Sequence, residues 1–273
     1  MSKIVFMGTP QFSVPILKGI VEAGHDVLFV VTQPDRKLGR GKKAVLTPTP
    51  VKKAALELGI EVLQPSKISG SEEMERLMST EFDLIVTAAF GQFLPDSLLQ
   101  HPKHGAINTH ASLLPKFRGG APIHYAILEG ERETGVTIME MVKKMDAGDI
   151  VAKKAIPIEE TDDVGSMFEK LSIVGRDILL ESLDGYLDGK IQPIPQDEAL
   201  ATYSPNITAE EEKIDWSRSQ MEVFNHIRGL HPFPIAHTTW DGKRLKIQKS
   251  AKVDGKFNGE AGLVVHRSKS ELF

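Results

Sequence analysis

Apolar residues along this chain fall into short continuous or alternating runs, separated by turn residues and by stretches with helical spacing. Lys3 to Phe6 reads as a strand ending at Gly8-Thr9-Pro10, Pro15 to Ala23 as a helix closed by Gly24, and Val27 to Thr32 as a second strand. A strand, a helix and a strand in such close succession form a βαβ unit, and βαβ units build parallel sheets. The pattern continues with a helix over Lys52 to Leu58 closed by Gly59, a strand at Ile60 to Leu63 and a helix over Glu72 to Ser79. Asp83 to Ala89 is continuously apolar, as expected of a strand covered on both faces. A turn at Gly91 to Pro95, a short helix around Asp96 to Gln100 and a strand beginning at Ala106-Ile107 follow. Beyond these lie a helix at Ala121 to Gly130, an alternating strand at Thr134 to Met141 and a strand at Ile150 to Ala155. From Thr161-Asp162, the residues Val164, Met167, Leu171, Val174 and Ile178 recur at helical spacing until Gly189, which predicts a packing helix without chemistry. The succession predicts an α/β fold: a Rossmann-like, mostly parallel sheet with helices on both faces.

Pro193, Pro195 and Pro205 mark an extended segment, so the expected organisation is a first domain over 1–190, a linker over 191–209 and a smaller β-rich domain over 210–273. The second part offers a helix over Met221 to Gly229 and a break at His231-Pro232-Phe233-Pro234. Two β-like runs follow, Ala236 to Trp240 and Arg244 to Gln248, joined by the hairpin dipeptide Asp241-Gly242. Gly262 to His266 is a further candidate strand. So few strands do not make an independent sheet, and this part reads as truncated or dependent on the first.

Composition narrows the chemistry. Among 273 residues there is no cysteine, which excludes disulfides, thiol nucleophiles and cysteine-ligated metals. Met1-Ser2-Lys3 leads straight into a strand pattern, with no signal-peptide core and no apolar run long enough to span a bilayer, so a cytoplasmic protein is expected. A net charge of -4 gives no global reason for a polyanionic partner. Local charge does. Between Asp35 and Lys43 the residues Arg36, Lys37, Arg40, Lys42 and Lys43 face one acid, within a Gly- and Pro-rich loop over Pro34 to Pro50. A solvated surface loop is the bland reading; the length of the loop favours a functional one. From Asp241 to Lys256 six basic residues face two acidic ones, a second patch. The turn at Gly8-Thr9-Pro10 lacks the G-x-G-x-x-G spacing of a dinucleotide site and reads as structural.

The chemistry concentrates in Gly105 to Gly120, GAINTHASLLPKFRGG. Asn108 and His110 are two apart on a strand, so their side chains share a face. An amide and an imidazole thus converge where a core strand would place apolar residues. A Leu-Leu-Pro turn, the basic pair Lys116 and Arg118 and a double glycine follow. Ligands of open α/β sheets sit beyond the carboxyl ends of strands, which is where these residues fall. Asp146 and Asp149, in Met145-Asp146-Ala147-Gly148-Asp149, are individually as consistent with turn formation as with catalysis.

Asn108-x-His110, the Ser112-Leu113-Leu114-Pro115 turn with Arg118-Gly119-Gly120, and Asp146 in its acidic turn together resemble the catalytic domain of the 10-formyltetrahydrofolate-dependent formyltransferases. The opening Phe6-Met7-Gly8-Thr9-Pro10-x-Phe12, the basic segment from Asp35 to Lys42 and the continuation through Ile227-Arg228-Gly229-Leu230-His231-Pro232 resemble the branch that acts on methionyl initiator tRNA. The resemblance covers nearly the whole chain. It implies that Asn108, His110 and Asp146 are catalytic and that Ser112, Leu113, Leu114 and Pro115 contact the folate. It further implies that Arg36, Arg40, Lys42 and Lys43 contact the tRNA, with no metal involved. A pterin pocket is implied between the 88–95 region and the loop before Asp146. A monomer, and a carboxy-terminal β-barrel left incomplete, are expected. The alternatives are a folate-dependent formyltransferase for a small amine, such as glycinamide ribonucleotide or an amino sugar, and a non-catalytic RNA-binding relative.

Overall fold

The computed structural model describes residues 1–39, 45–253, 255 and 259–269. Its centre is a seven-stranded sheet. The first half of the chain supplies β1 (Lys3–Gly8), α1 (Ser13–Glu22), β2 (Asp26–Val31), β3 (Arg36–Leu38), β4 (Val45–Thr47), α2 (Pro50–Glu57), β5 (Glu61–Leu63), α3 (Glu72–Met78) and β6 (Leu84–Ala88). It continues with α4 (Asp96–Leu99), β7 (Ala106–His110), α5 (Pro122–Leu128), β8 (Glu133–Glu140), β9 (Ile150–Pro157) and α6 (Val164–Leu187). Sheet order is β5-β2-β1-β6-β7-β8-β9, parallel from β5 through β7 and antiparallel where β8 joins β7 and β9 joins β8.

Both faces of the parallel strands are covered, and the pleat shows it. Ile4 and Phe6 of β1 pack with α1, α2, α5 and α6, while Val5 and Met7 pack on the opposite side with Leu77 of α3 and Leu98 of α4. Alternate residues thus enter different cores, which explains the unbroken apolar reading of β1 and β6. Helix α6 begins one residue after its N-cap, Asp163, whose carboxylate accepts from the Ser166 amide while the Ser166 hydroxyl accepts from the Asp163 amide. Gly175 lets α6 lie close on β7: a Cβ there would stand 2.9 Å from the Thr109 methyl, between Asn108 and His110 in sequence.

The second part holds α7 (Gln220–Gly229), β10 (His237–Trp240) and β11 (Lys243–Lys246). Ile214, Ile227, Leu230 and Ala236 form its own small core, with Leu128 of α5 packed against it. β10 and β11 pair antiparallel across Asp241 and Gly242, whose φ values of 45° and 71° suit a tight hairpin turn.

Two local expectations fail. The stretch over Pro34 to Pro50 is not loop throughout, because Arg36–Leu38 and Val45–Thr47 pair antiparallel, with Arg36 opposite Thr47. Gly262 to His266 forms no strand; Gly262, at φ 85°, lies in a turn against the Trp216 ring. Among the described residues no helix is long and apolar enough to cross a membrane.

Candidate active site

Strand order reverses between β1, whose chain next runs to β2, and β6, which returns to β1's other side. Such a switch point opens a crevice at the carboxyl ends of the strands. A cavity of about 970 Å³ occupies it. Its walls are the 89–95 turn, the end of β7, the 119–124 segment and the 139–146 stretch. Phe168 of α6 closes one side, and Asn206 and Phe233 reach in from beyond residue 200.

Asn108, His110 and Asp146 all line this cavity. Asn108 sits beside Thr87 across the β6–β7 pairing, and the Thr87 hydroxyl donates to Asn108 Oδ1 at 2.7 Å. That contact fixes the amide and leaves Nδ2 as a donor with no partner among the described residues. The His110 side chain is buried, and its Nε2 lies 2.9 Å from the Phe117 carbonyl. A carbonyl only accepts, so Nε2 carries a proton and the ring's other nitrogen, Nδ1, holds the variable site. Nδ1 is 3.8 Å from Asp146 Oδ2. The same carboxylate oxygen accepts from the Gly119 amide at 2.8 Å. Strand β7 thus supplies a fixed amide donor and an imidazole of fixed tautomer, and the β8–β9 connection supplies a carboxylate beside it.

Backbone conformation concentrates here as well. Ala89, Phe117 and Asp146 adopt φ of 48°, 59° and 48°, in the left-handed region, at a cost of about 1–3 kcal/mol each. Gly119, at φ 120°, passes so close to the Ser204 carbonyl that a Cβ would lie 2.7 Å from it. Gly120 is as confined, since its Cβ would collide with the Asn206 side-chain oxygen. The double glycine is therefore a close-approach device rather than a hinge.

The Ser112 to Pro115 turn lies directly after β7 and next to the cavity-lining Ala111. None of Ser112, Leu113, Leu114 and Pro115 lines the cavity. Ser112 donates from Oγ to the Lys116 carbonyl at 2.7 Å, the Leu114 amide donates to Thr137 Oγ1 at 3.1 Å, and Leu114 is wholly buried. The turn is pinned on β8 beneath the site, and there it shapes the Phe117 to Gly120 segment. Lys116 and Arg118 are both engaged by other side chains. Lys116 bonds Glu131 at 2.9 Å, and Arg118 is fully buried, its guanidinium bonded to Glu198 and Gln196.

Of the basic-loop residues, Arg36 is exposed and borders a second cavity of about 340 Å³ that shares Pro10, Ala89, Phe90 and Gly91 with the first. Arg40, Lys42 and Lys43 lie outside the described residues. Asp35, the loop's single acid, is bound by Lys52 at 2.7 Å and by Gln64 at 2.7 Å, and the Gln64 and Lys52 contacts hold its carboxyl below the usual range.

Sequence reasoning missed two contributions. Gln196, Ser204 and Asn206, from the expected linker, touch the site, and no local pattern marks them. The break at His231-Pro232-Phe233-Pro234 was visible, but not its purpose: Phe233 packs with His124 and Phe168 at ring-centroid distances of 5.6 and 5.5 Å, closing the cavity with an aromatic wall. Among the described residues no group of three His, Asp or Glu side chains could hold a metal ion.

With this geometry in place, comparison with known proteins gives the class first. Residues 2–183 match the model of the formyl transferase family, and residues 206–273 match that of the formyl transferase C-terminal domain. Solved structures share the fold at low identity. An N-formyltransferase from Helicobacter canadensis superposes with TM-score 0.71 at 19% identity, covering 95% of this chain and 90% of that one. HypX from Aquifex aeolicus, solved in complex with tetrahydrofolic acid, superposes with TM-score 0.68 at 20% identity, covering 96% of this chain and 40% of that one. Sequence relatives are far nearer. The methionyl-tRNA formyltransferase of Enterococcus faecalis is 59% identical over all of this chain and 87% of its own length; that of Streptococcus mutans is 57% identical over all of this chain and 86% of its own. The chain belongs to the methionyl-tRNA formyltransferase family.

One titration follows from the aromatic wall. His124 is buried, its Nε2 donating to the Phe233 carbonyl at 3.3 Å and its Nδ1 without a partner. Burial pushes this imidazole below its ordinary pKa, and the bond to Phe233 only partly opposes that. A depressed folded value means that the neutral ring's contribution is complete above about pH 6.5 and is lost as pH falls below it. Urea unfolding from about pH 7.5 to about pH 5 should show declining stability, and His124→Phe should flatten part of that slope. The remainder belongs to groups such as His226, which burial also pushes down. A slope identical in the variant would show that His124 is not held neutral.

Proposed function

We propose that this protein transfers the formyl group of 10-formyltetrahydrofolate to the α-amine of methionyl initiator tRNA. Members of this family use a folate-derived formyl donor; the particular donor and the acceptor are our assignment. The observation that carries it is the convergence of Asn108 Nδ2, His110 Nδ1 and Asp146 on one cavity, in a chain 59% identical along its whole length to a methionyl-tRNA formyltransferase.

The reaction needs an amine nitrogen to form a bond to the formyl carbon. The carbonyl oxygen then takes up negative charge, and the carbon–nitrogen bond to the folate breaks. Asn108 Nδ2 is a fixed donor for the developing oxyanion, a type of contact worth about 2.7–4 kcal/mol in the transition state. His110 acts through Nδ1 alone, since Nε2 is committed to Phe117. Neutral, it can accept the proton that the attacking amine sheds. Protonated, it donates to the oxyanion or returns the proton to the departing folate nitrogen. Asp146 Oδ2 lies 3.8 Å from His110 Nδ1, on the same side of the cavity. The 89–95 and 139–145 walls, with Phe90, Leu94, Met139 and Met141, offer a flat heterocycle an apolar slot. No covalent enzyme intermediate is required.

For the acceptor, the support is charge. Arg36, Arg40, Lys42 and Lys43 lie in one short stretch of an otherwise acidic chain, and Arg36 borders the small cavity that opens beside the large one. In this reading the segment lies against the acceptor-stem phosphates, beyond the site that takes the methionyl amine. The cytoplasm, where initiator tRNA is charged, is the compartment this reading implies.

Formyl transfer from 10-formyltetrahydrofolate to methionyl-tRNA tests the reaction directly. The intact chain should formylate the charged tRNA and not glycinamide ribonucleotide or an amino sugar at comparable kcat/KM. His110→Ala should lower kcat/KM by about 10²–10⁴-fold. Undiminished transfer by that variant would remove His110 from the mechanism.

The acceptor assignment is checked separately. Arg40→Ala with Lys42→Ala should weaken methionyl-tRNA use and leave folate binding nearly unchanged. The slope of log affinity against log salt should also fall, by about 0.7–0.9 for each phosphate that is no longer neutralised. Equal weakening for both substrates would contradict this placement of the segment.

A further inference from the structure

The segment over residues 191–209 reads as a linker, yet its hydrogen bonds run into the site. Ile194 exchanges two backbone bonds with Ile150, at 2.8 and 2.9 Å, at the start of β9 just past Asp146. Further on, the Arg118 amide donates to the Thr202 carbonyl at 2.8 Å, and the Ser204 amide donates to the Arg118 carbonyl at 2.7 Å. The Ala121 amide donates to the Ser204 carbonyl at 3.0 Å. The segment therefore pairs, a few residues apart, with both stretches that form the site: the one holding Asp146 and the one holding Phe117 to Ala121.

One side chain joins the two stretches. Gln196 Oε1 accepts from Arg118 Nη2 at 2.8 Å and from Arg118 Nε at 3.1 Å. Its Nε2 donates to the carbonyls of Asp146 and Gly148, at 2.9 and 2.7 Å. All of the hydrogen-bonding groups of this side chain are thereby committed, two to one site stretch and two to the other. Arg118 is fully buried and cannot move to follow a missing partner. Its other anchor, Glu198, also binds Lys144, two residues before Asp146, at 2.6 Å; Arg118 and Lys144 together hold the Glu198 carboxyl down to about 2. Ser204 adds a second tie, donating from Oγ to the Phe117 carbonyl at 3.1 Å, the same oxygen that accepts from His110 Nε2.

Asp146 needs such restraint. Its φ of 48° is disfavoured for a non-glycine residue, and its carboxylate must sit 2.8 Å from the Gly119 amide and 3.8 Å from His110 Nδ1 at once. Gly148, in the same turn, approaches the Glu140 backbone so closely that no Cβ fits. An amide donor on the carbonyls of both Asp146 and Gly148 fixes the two ends of this turn.

We propose that residues 194–206 act as a strap across the site and that Gln196 is a positioning residue, setting the Asp146 carboxylate against Gly119 and His110 by clamping the Asp146 turn to Arg118. The proposal rests on the formyl-transfer reading for its effect on rate, but not for its effect on geometry.

Two variants test it. Gln196→Met keeps the side chain's length and removes every hydrogen bond. Gln196→Glu keeps an acceptor for the buried Arg118 guanidinium and turns the donor to Asp146 and Gly148 into an acceptor, so the Arg118 end stays paired while the Asp146 end is lost. In both, kcat for methionyl-tRNA should fall about 10–100-fold, as misplacement of a reacting group by a fraction of an ångström does, while KM for either substrate changes less than about threefold. A readout without turnover accompanies these: in ¹⁵N-resolved NMR the Gly119 amide proton, deshielded by its carboxylate acceptor, should shift upfield and exchange faster in both variants. Gln196→Glu with wild-type kcat and an unmoved Gly119 resonance would overturn the proposal. If the intact chain transfers no formyl group, the functional reading fails, and the Gly119 resonance still decides whether Gln196 sets Asp146.

Discussion

The site depends on one carbonyl oxygen. That of Phe117 accepts from His110 Nε2 at 2.9 Å and from Ser204 Oγ at 3.1 Å, so both of its lone-pair directions are used. The first bond decides which ring nitrogen carries a permanent proton and therefore which one can do chemistry. The second ties the same oxygen to a residue 87 positions further along the chain. Phe117 can offer its carbonyl in this direction because it adopts φ 59°, and it keeps that conformation because its ring is buried and its own amide donates to Thr202 Oγ1 at 2.9 Å. A conformation costing about 1–3 kcal/mol is thus maintained chiefly by contacts from outside the cavity.

The sheet explains why these groups meet. Parallel strands covered on both faces are stiff, and their order reverses between β1 and β6, so the crevice is a consequence of topology and not of any one loop. β7 pairs with β6 so that Thr87 stands beside Asn108, and α6 presses close on the same strand through Gly175. The amide and the imidazole are therefore held by a paired, closely packed strand. Asp146 is not: it sits in a turn between antiparallel strands and is located by hydrogen bonds from other segments. In the proposed mechanism the sheet-held groups and the strapped one form a single constellation, and through it the carboxyl-terminal third of the chain bears on chemistry carried by the first two thirds.

How much of this was legible follows from the range of each interaction. Period-two alternation along β7 put Asn108 and His110 on one face, and continuous apolar runs announced the covered strands; both are local signals. Asp241-Gly242 announced its hairpin for the same reason. The burial of Arg118 had no local signal, because its partners Gln196 and Glu198 are 78 and 80 residues away. The fastening of Ser112 to Pro115 was not legible either, since β8 captures the turn through Thr137, more than twenty residues further along the chain. Gln196 had no local signal at all. Prolines 193, 195 and 205 pointed to a linker, but a proline-marked segment can be a linker or a strap, and only what lies beside it distinguishes the two.

The chemistry turns on the tautomer of His110, and imidazole ¹⁵N NMR of histidine-labelled protein, assigned by difference against His110→Gln, measures that tautomer directly. Neutral His110 should carry its proton on Nε2, with Nδ1 showing the shift of an unprotonated nitrogen. A His110 protonated on Nδ1, or one exchanging freely between the two forms, would mean that the Phe117 carbonyl does not hold the ring, and the mechanism built on that bond would be wrong.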